Sequence, residues 1–245
     1  MHTTSTLPRA VDAQPAARRG RLVVDAPTRM FHWLFALSFV GAFVTADGER
    51  WRAMHVTLGY LFAGLLVLRL LYGLLGPRQV RLSLLRHRAS GVRAWLRSLA
   101  QRPPWRVDWR QGENLLIALA IVAMMLAVVP LTLSGFAVYQ EWSGDWLEDV
   151  HEFFGNAFLA VVLAHVGALA VSSLLRRRNR MLPMITGRID GRGPDPVRHE
   201  RRWLATLLLA ASIAFVAWQW MEAPNGLVPM SRWHEISTTM SASFS

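Results

Sequence analysis

Histidine is the strong metal ligand of this chain, which carries eight histidines and no cysteine. Thiol chemistry is therefore excluded, from disulfides and iron–sulfur ligation to covalent c-type haem attachment. His2, His87, His199 and His234 lie in tails or loops and read as solvated surface side chains. His32, His55, His151 and His165 fall within or at the ends of long apolar stretches. An ionisable group is costly there and usually has a partner.

His151 and His165 are fourteen residues apart in one apolar stretch. On an α-helix that spacing leaves them about 40° apart, on one face, and separated by roughly 21 Å along the axis. One histidine thus sits near each side of a bilayer whose hydrocarbon core is about 30 Å thick. His55 opens another apolar stretch at the level of His151, and His32 opens a third at the level of His165. The pairs His55 with His151 and His32 with His165 follow. Each could clamp one haem iron from two neighbouring helices, as side chains projecting into a bundle core build cofactor sites. Interhelical hydrogen bonding, or a proton path as in a transporter, is the competing reading. It leaves two matched pairs at two depths unexplained.

A porphyrin is a wide plate and needs small residues where it lies against a helix. Gly59 follows His55 by four residues and Gly155 follows His151 by four, each on its histidine's face. Ala36 takes that place after His32, but Leu169 follows His165, so the outer pair has the better cradle. Ordinary helix packing through small residues explains the glycines equally well. Arg69, inside LLVLRLLYG, lies fourteen residues after His55 and so at the inner level. It reads either as a salt-bridge partner for a haem propionate or as a side chain snorkelling to the interface.

The elements that must position these residues are membrane helices. Charges fall in blocks, and Leu115 to Pro130 and Trp203 to Trp220 contain no Asp, Glu, Lys or Arg. Five spans are expected, at about Thr28 to Ala46, Arg52 to Gly76, Glu113 to Val138, Val150 to Leu175 and Trp203 to Trp220. The net charge of +11 is carried by Arg alone among the bases, mostly between spans. That distribution marks topology rather than a nucleic-acid footprint.

Nine Arg against one Asp separate the second and third spans, and a second Arg-rich segment, Arg176 to Arg202, follows the fourth. By the positive-inside rule both are cytoplasmic. The loop with Glu141, Asp145, Glu148 and Asp149 holds no base and faces the periplasm, so the N-terminus is inside and the C-terminus outside. Trp51, Trp142, Trp146, Trp218 and Trp220 mark the outer interface. Pro130 is expected to kink the third span. Around Leu82 to Leu99, an amphipathic helix on the inner membrane face and a solvated loop fit about equally. The first twenty residues are polar and read as a disordered cytoplasmic tail, not a cleaved signal peptide.

The stretches DAPTRMFHW (25–33), HVTLGYLFAGLLVLRLLYGLLGPR (55–78) and VHEFFGNAFLAVVLAHV (150–166), with MITGR at 184–188, resemble the bacterial cytochrome b561 family. That family includes b-type cytochrome subunits of nickel–iron hydrogenases. The resemblance covers most of residues 21–190. It implies a four-helix haem-binding core that exchanges electrons with quinone and a partner protein, and it carries the family's ligands onto His32, His55, His151 and His165. The span Trp203 to Trp220 is an addition to that pattern.

The expected fold is an all-α integral membrane helical bundle: a four-helix haem-binding core plus one additional C-terminal transmembrane helix. Residues 1–20 form the tail, 21–190 the cytochrome b561-like domain, and 191–245 the fifth helix and a periplasmic tail. The expected function is electron transfer by two haem b groups in the bacterial inner membrane. It links quinone with a periplasmic c-type cytochrome or redox enzyme subunit, as a subunit rather than a stand-alone enzyme, with no nucleic-acid partner. Self-association stays open. A self-contained superoxide or small-molecule quinone oxidoreductase is the alternative within the family, although an anion's route should be basic and the 141–149 loop is acidic. A haem-free transporter or structural membrane protein is the alternative from another class.

Overall fold

Asp25 starts the first long helix by capping it: the Thr28 amide donates to Asp25 Oδ1 at 3.2 Å, and Pro27 occupies the first turn, where its missing N–H costs nothing. The computed structural model describes residues 20–76, 91–101, 103, 106–107, 109–142, 144–191, 193–223 and 227. Among these, seven helices are α1 (Ala26–Val44), α2 (Arg52–Leu75), α3 (Val92–Gln101), α4 (Trp109–Tyr139), α5 (Trp146–Arg176), α6 (Leu182–Thr186) and α7 (Arg202–Glu222). A two-residue strand β1 (Arg21–Leu22) pairs antiparallel with β2 (Arg188–Ile189), Leu22 opposite Arg188.

The contacts fix the direction of each helix. Phe31 meets Tyr72, Phe39 meets Phe62, and Gly41 meets Leu58, so α1 and α2 lie antiparallel. Val128 packs with Phe158, and Leu131 with Gly155, so α4 and α5 do the same. α7 starts beside the start of α1, where the Ala26 amide donates to the Glu200 carbonyl at 3.0 Å, and its Leu208 is buried with Phe31 and Leu65. It therefore runs parallel to α1 along the outside of the α1–α2 pair. One end of the bundle collects the β1–β2 pair and the Arg-rich segment after α5, and the other collects the acidic turn between α4 and α5.

Helices Glu49–Leu75, Leu115–Tyr139, Trp146–Arg176 and Arg202–Glu222 are long and apolar enough to cross a membrane. α1 is the fifth long helix and falls short on composition, because Pro27, Thr28, Arg29 and His32 crowd its first turns. Its 19 residues still span about 28 Å. It also turns Leu37 (67 % exposed) and Val44 (74 %) outward, as a lipid-facing surface requires. The chain is an all-α membrane bundle.

α4 continues as helix through Pro130. α3 realises the C-terminal part of the amphipathic segment. Its Trp95 packs so closely on α4 that a Cβ at Gly112 would lie 2.2 Å from the indole, while Leu96 and Leu99 stay exposed. The first part of that segment, with His87, lies outside the described residues, as do the N-terminal tail with His2 and the C-terminal segment with His234.

Candidate functional site

α1 ends at Val44, so its last carbonyls have no amide of the helix to accept from. One of them, Ala42 O, receives His55 Nδ1 at 2.8 Å. On the facing helices His151 Nδ1 lies 3.0 Å from Leu131 O, with Ser134 Oγ at 3.3 Å. A carbonyl only accepts, so both imidazoles carry their proton on Nδ1, and each Nε2 keeps a free lone pair. This is the arrangement that orients a metal-bound histidine through its second nitrogen. The two rings have centroids 5.9 Å apart and planes at 85°. At this separation the two imidazoles would be the residues to hold one metal between them.

The pair opens into a cavity of about 360 Å³ between α1, α2, α4 and α5, lined mostly by apolar side chains, with Gly59, Gly135 and Gly155 among its walls. A Cβ built on Gly59 would meet nothing within 4 Å, and one on Gly155 would meet only Leu131 Cδ1 at 3.9 Å. Close helix packing thus does not require either glycine. Their missing side chains leave space in the cavity instead. Two Nδ1-anchored imidazoles and an apolar slot walled by glycine are a donor set and a lining that fit haem b.

Gly135 was not evident from sequence, and it is the tightest of the three. A Cβ there would lie 2.6 Å from His151 Cε1 and 2.9 Å from Nδ1, so the imidazole sits directly on the glycine. Ser134, Leu131 and Gly135 form one turn of α4 facing His151. Spacing from His151 cannot reveal them, because they belong to another helix.

At the other end, His32 and His165 come within electrostatic reach of each other. Both Nδ1 atoms are buried without a hydrogen-bond partner, so the inner pair lacks the carbonyl anchors of the outer one. Arg69 Nη1 is also buried and unpartnered. The arginine is half-buried, with Asp25 and Tyr72 near enough to act on its charge. The Tyr72 hydroxyl donates to the buried carboxylate of Asp25 at 2.5 Å. Ala36 and Leu169 are both half-buried. Orphaned nitrogens on two imidazoles and one guanidinium fit a metal centre that also carries anionic groups.

Between the two levels lies a packed aromatic layer. Phe62 and Phe158 follow His55 and His151 by seven residues each, about 10 Å along the helix. Phe39 meets Phe158 with ring centroids 4.5 Å apart and planes tilted by 54°, and Phe35 meets Phe62 at 5.0 Å. The layer lies between the level of His55 and His151 and that of His32 and His165. His199 is exposed ahead of α7 and joins neither.

The family described as prokaryotic cytochrome b561 matches residues 23–187, 165 of the 245 residues. The match includes all four central histidines, Arg69 and the three cavity glycines, and it ends before Glu200 and α7. No curated protein and no solved structure matches the sequence. Over two thirds of its length, with four apolar helices of membrane-spanning length, the chain belongs to the prokaryotic cytochrome b561 family of membrane proteins that carry electrons on b-type haem.

Proposed function

We propose that this protein is a dihaem cytochrome that passes electrons between membrane quinone and a periplasmic redox partner, a c-type cytochrome or an oxidoreductase subunit. What supports the reading is the contact of His55 with His151 at one level, the nearness of His32 to His165 at the other, and the Phe35, Phe39, Phe62 and Phe158 layer between them. Haem b held at each pair supplies one-electron exchange. The chain's own part is to hold and insulate. Ala42 O and Leu131 O orient the outer imidazoles, and the phenyl layer excludes water between the levels. Arg69 offers an inner cation to an anionic substituent.

Quinone is tested directly by mixing oxidised protein in detergent with a short-chain quinol. Reduction of the b-type absorption bands within the mixing experiment is the expected result. Bands that stay oxidised with several quinols, yet reduce with dithionite, would remove quinone from the reading.

The Arg-rich end is assigned to the cytoplasm and the acidic turn to the periplasm. On the outer side, Asp145, Glu148 and Asp149 are exposed around the start of α5, close to His151 in sequence. They favour the positive end of that helix and also present a negative field to a basic partner. Reporter fusions at Arg188 and Ala223 should give opposite locations, because α7 lies between them. Matching locations would mean that α7 does not cross.

A further inference from the structure

The end of the family-matched region and the segment that follows it together grip the start of α1. Arg29, one turn before His32, donates from Nη1 to the Ile185 carbonyl at 2.9 Å and from Nη2 to Glu200 Oε1 at 2.8 Å. Gly187, at φ +78, makes room for it: a Cβ there would lie 3.1 Å from the Arg29 guanidinium carbon. The Glu200 backbone carbonyl also takes the Ala26 amide, and Val197, buried, donates to Leu22 O at 3.3 Å. The clasp therefore has its own built seat for one arginine.

Arg29 and Glu200 are only 18 % and 21 % exposed at their side chains, so their charges act on each other with little solvent screening. Glu200 also meets Arg202 at 2.7 Å, but that arginine is 78 % exposed and its charge is largely screened. Arg29 stands about 4.5 Å along the axis from His32. A cation at that place disfavours the oxidised, more positive state of an iron bound to His32, and a neutralised cation does so less.

The geometry points to Glu200, a residue beyond the family-matched region, as a positioning residue of the inner site: through its ion pair with Arg29 it seats the start of α1 and holds down the redox potential at His32. The inference rests on the reading that His32 and His165 hold a haem. It gives the added C-terminal part of the chain a role in setting the driving force between the two sites.

Potentiometric titration of the full-length protein, followed at the b-type bands, tests it. Glu200→Gln should shift one of two components to higher potential and leave the other in place. Arg29→Gln should shift the same component downward, and the double variant should return close to the parent. Glu200→Asp keeps the charge and should stay near the parent. A purely mechanical role predicts single variants that move the component in the same direction or lose it, and that result would overturn the inference, as would two unshifted components in every variant. A parent protein with a single component would instead overturn the dihaem reading and this inference with it. Haem content, measured alongside, shows whether each variant still holds both groups.

Discussion

In His151→Ala protein, the haem content should fall by about half and one of the two b-type spectral components should disappear, with the other keeping its potential. His55→Ala should remove that same component, because both imidazoles face one cavity with ring centroids 5.9 Å apart. His32→Ala and His165→Ala should each remove the other one. Independence follows from structure: the levels are roughly 21 Å apart on α5, and Phe39, Phe62 and Phe158 fill the space between them. The surviving component also reports that the bundle has folded. His199→Ala, an exposed residue, should leave the spectrum unchanged. If His32→Ala and His55→Ala removed the same component, the pairing would be wrong.

Gly135→Ala should damage the outer site nearly as much as loss of a ligand, although it removes no metal-binding group. In an exposed helix interior this substitution would stabilise by up to about 1 kcal/mol. Here the new methyl would sit 2.6 Å from His151 Cε1, well inside contact distance. Either the imidazole swings away from Leu131 O or α4 and α5 separate, and overpacking of this kind costs roughly 1–3 kcal/mol. Loss or a clear spectral change of the outer component is expected, with the inner component intact. Gly59→Ala is the contrast, since its methyl meets nothing within 4 Å and intrudes only on the cavity. Both components at parental amplitude in Gly135→Ala would show that His151 does not depend on this seat.

The helices were largely legible because hydrocarbon length and charge exclusion act on short stretches of sequence. Arg52 to Gly76 differs from α2 by one residue, and Trp203 to Trp220 lies just inside α7. α4 and α5 begin four residues earlier than their apolar cores, at Trp109 and Trp146. Apolarity reports only the hydrocarbon zone, whereas helical hydrogen bonding carries on into the polar interface. The relation of His151 to His165 followed from helix geometry alone.

What stayed hidden depends on how one helix is rotated against another. Nothing near His55 in sequence announces that Ala42 O will anchor it, since that carbonyl lacks a helical amide partner only because α1 stops at Val44. Gly135 and Ser134 become part of the site only through the register of α4 on α5. Glu200 reaches Arg29 only once α7 has docked beside α1.

The most direct measurement of the central claim is the haem-to-protein ratio of purified, fully loaded protein, by pyridine haemochrome assay against quantitative amino-acid analysis. Two anchoring pairs that share no histidine predict a ratio near two, all of it extractable b-type haem because the chain has no cysteine to bind it covalently. A ratio near one in saturated protein would leave a single pair, His55 with His151, as ligands, and no haem at all would contradict the account.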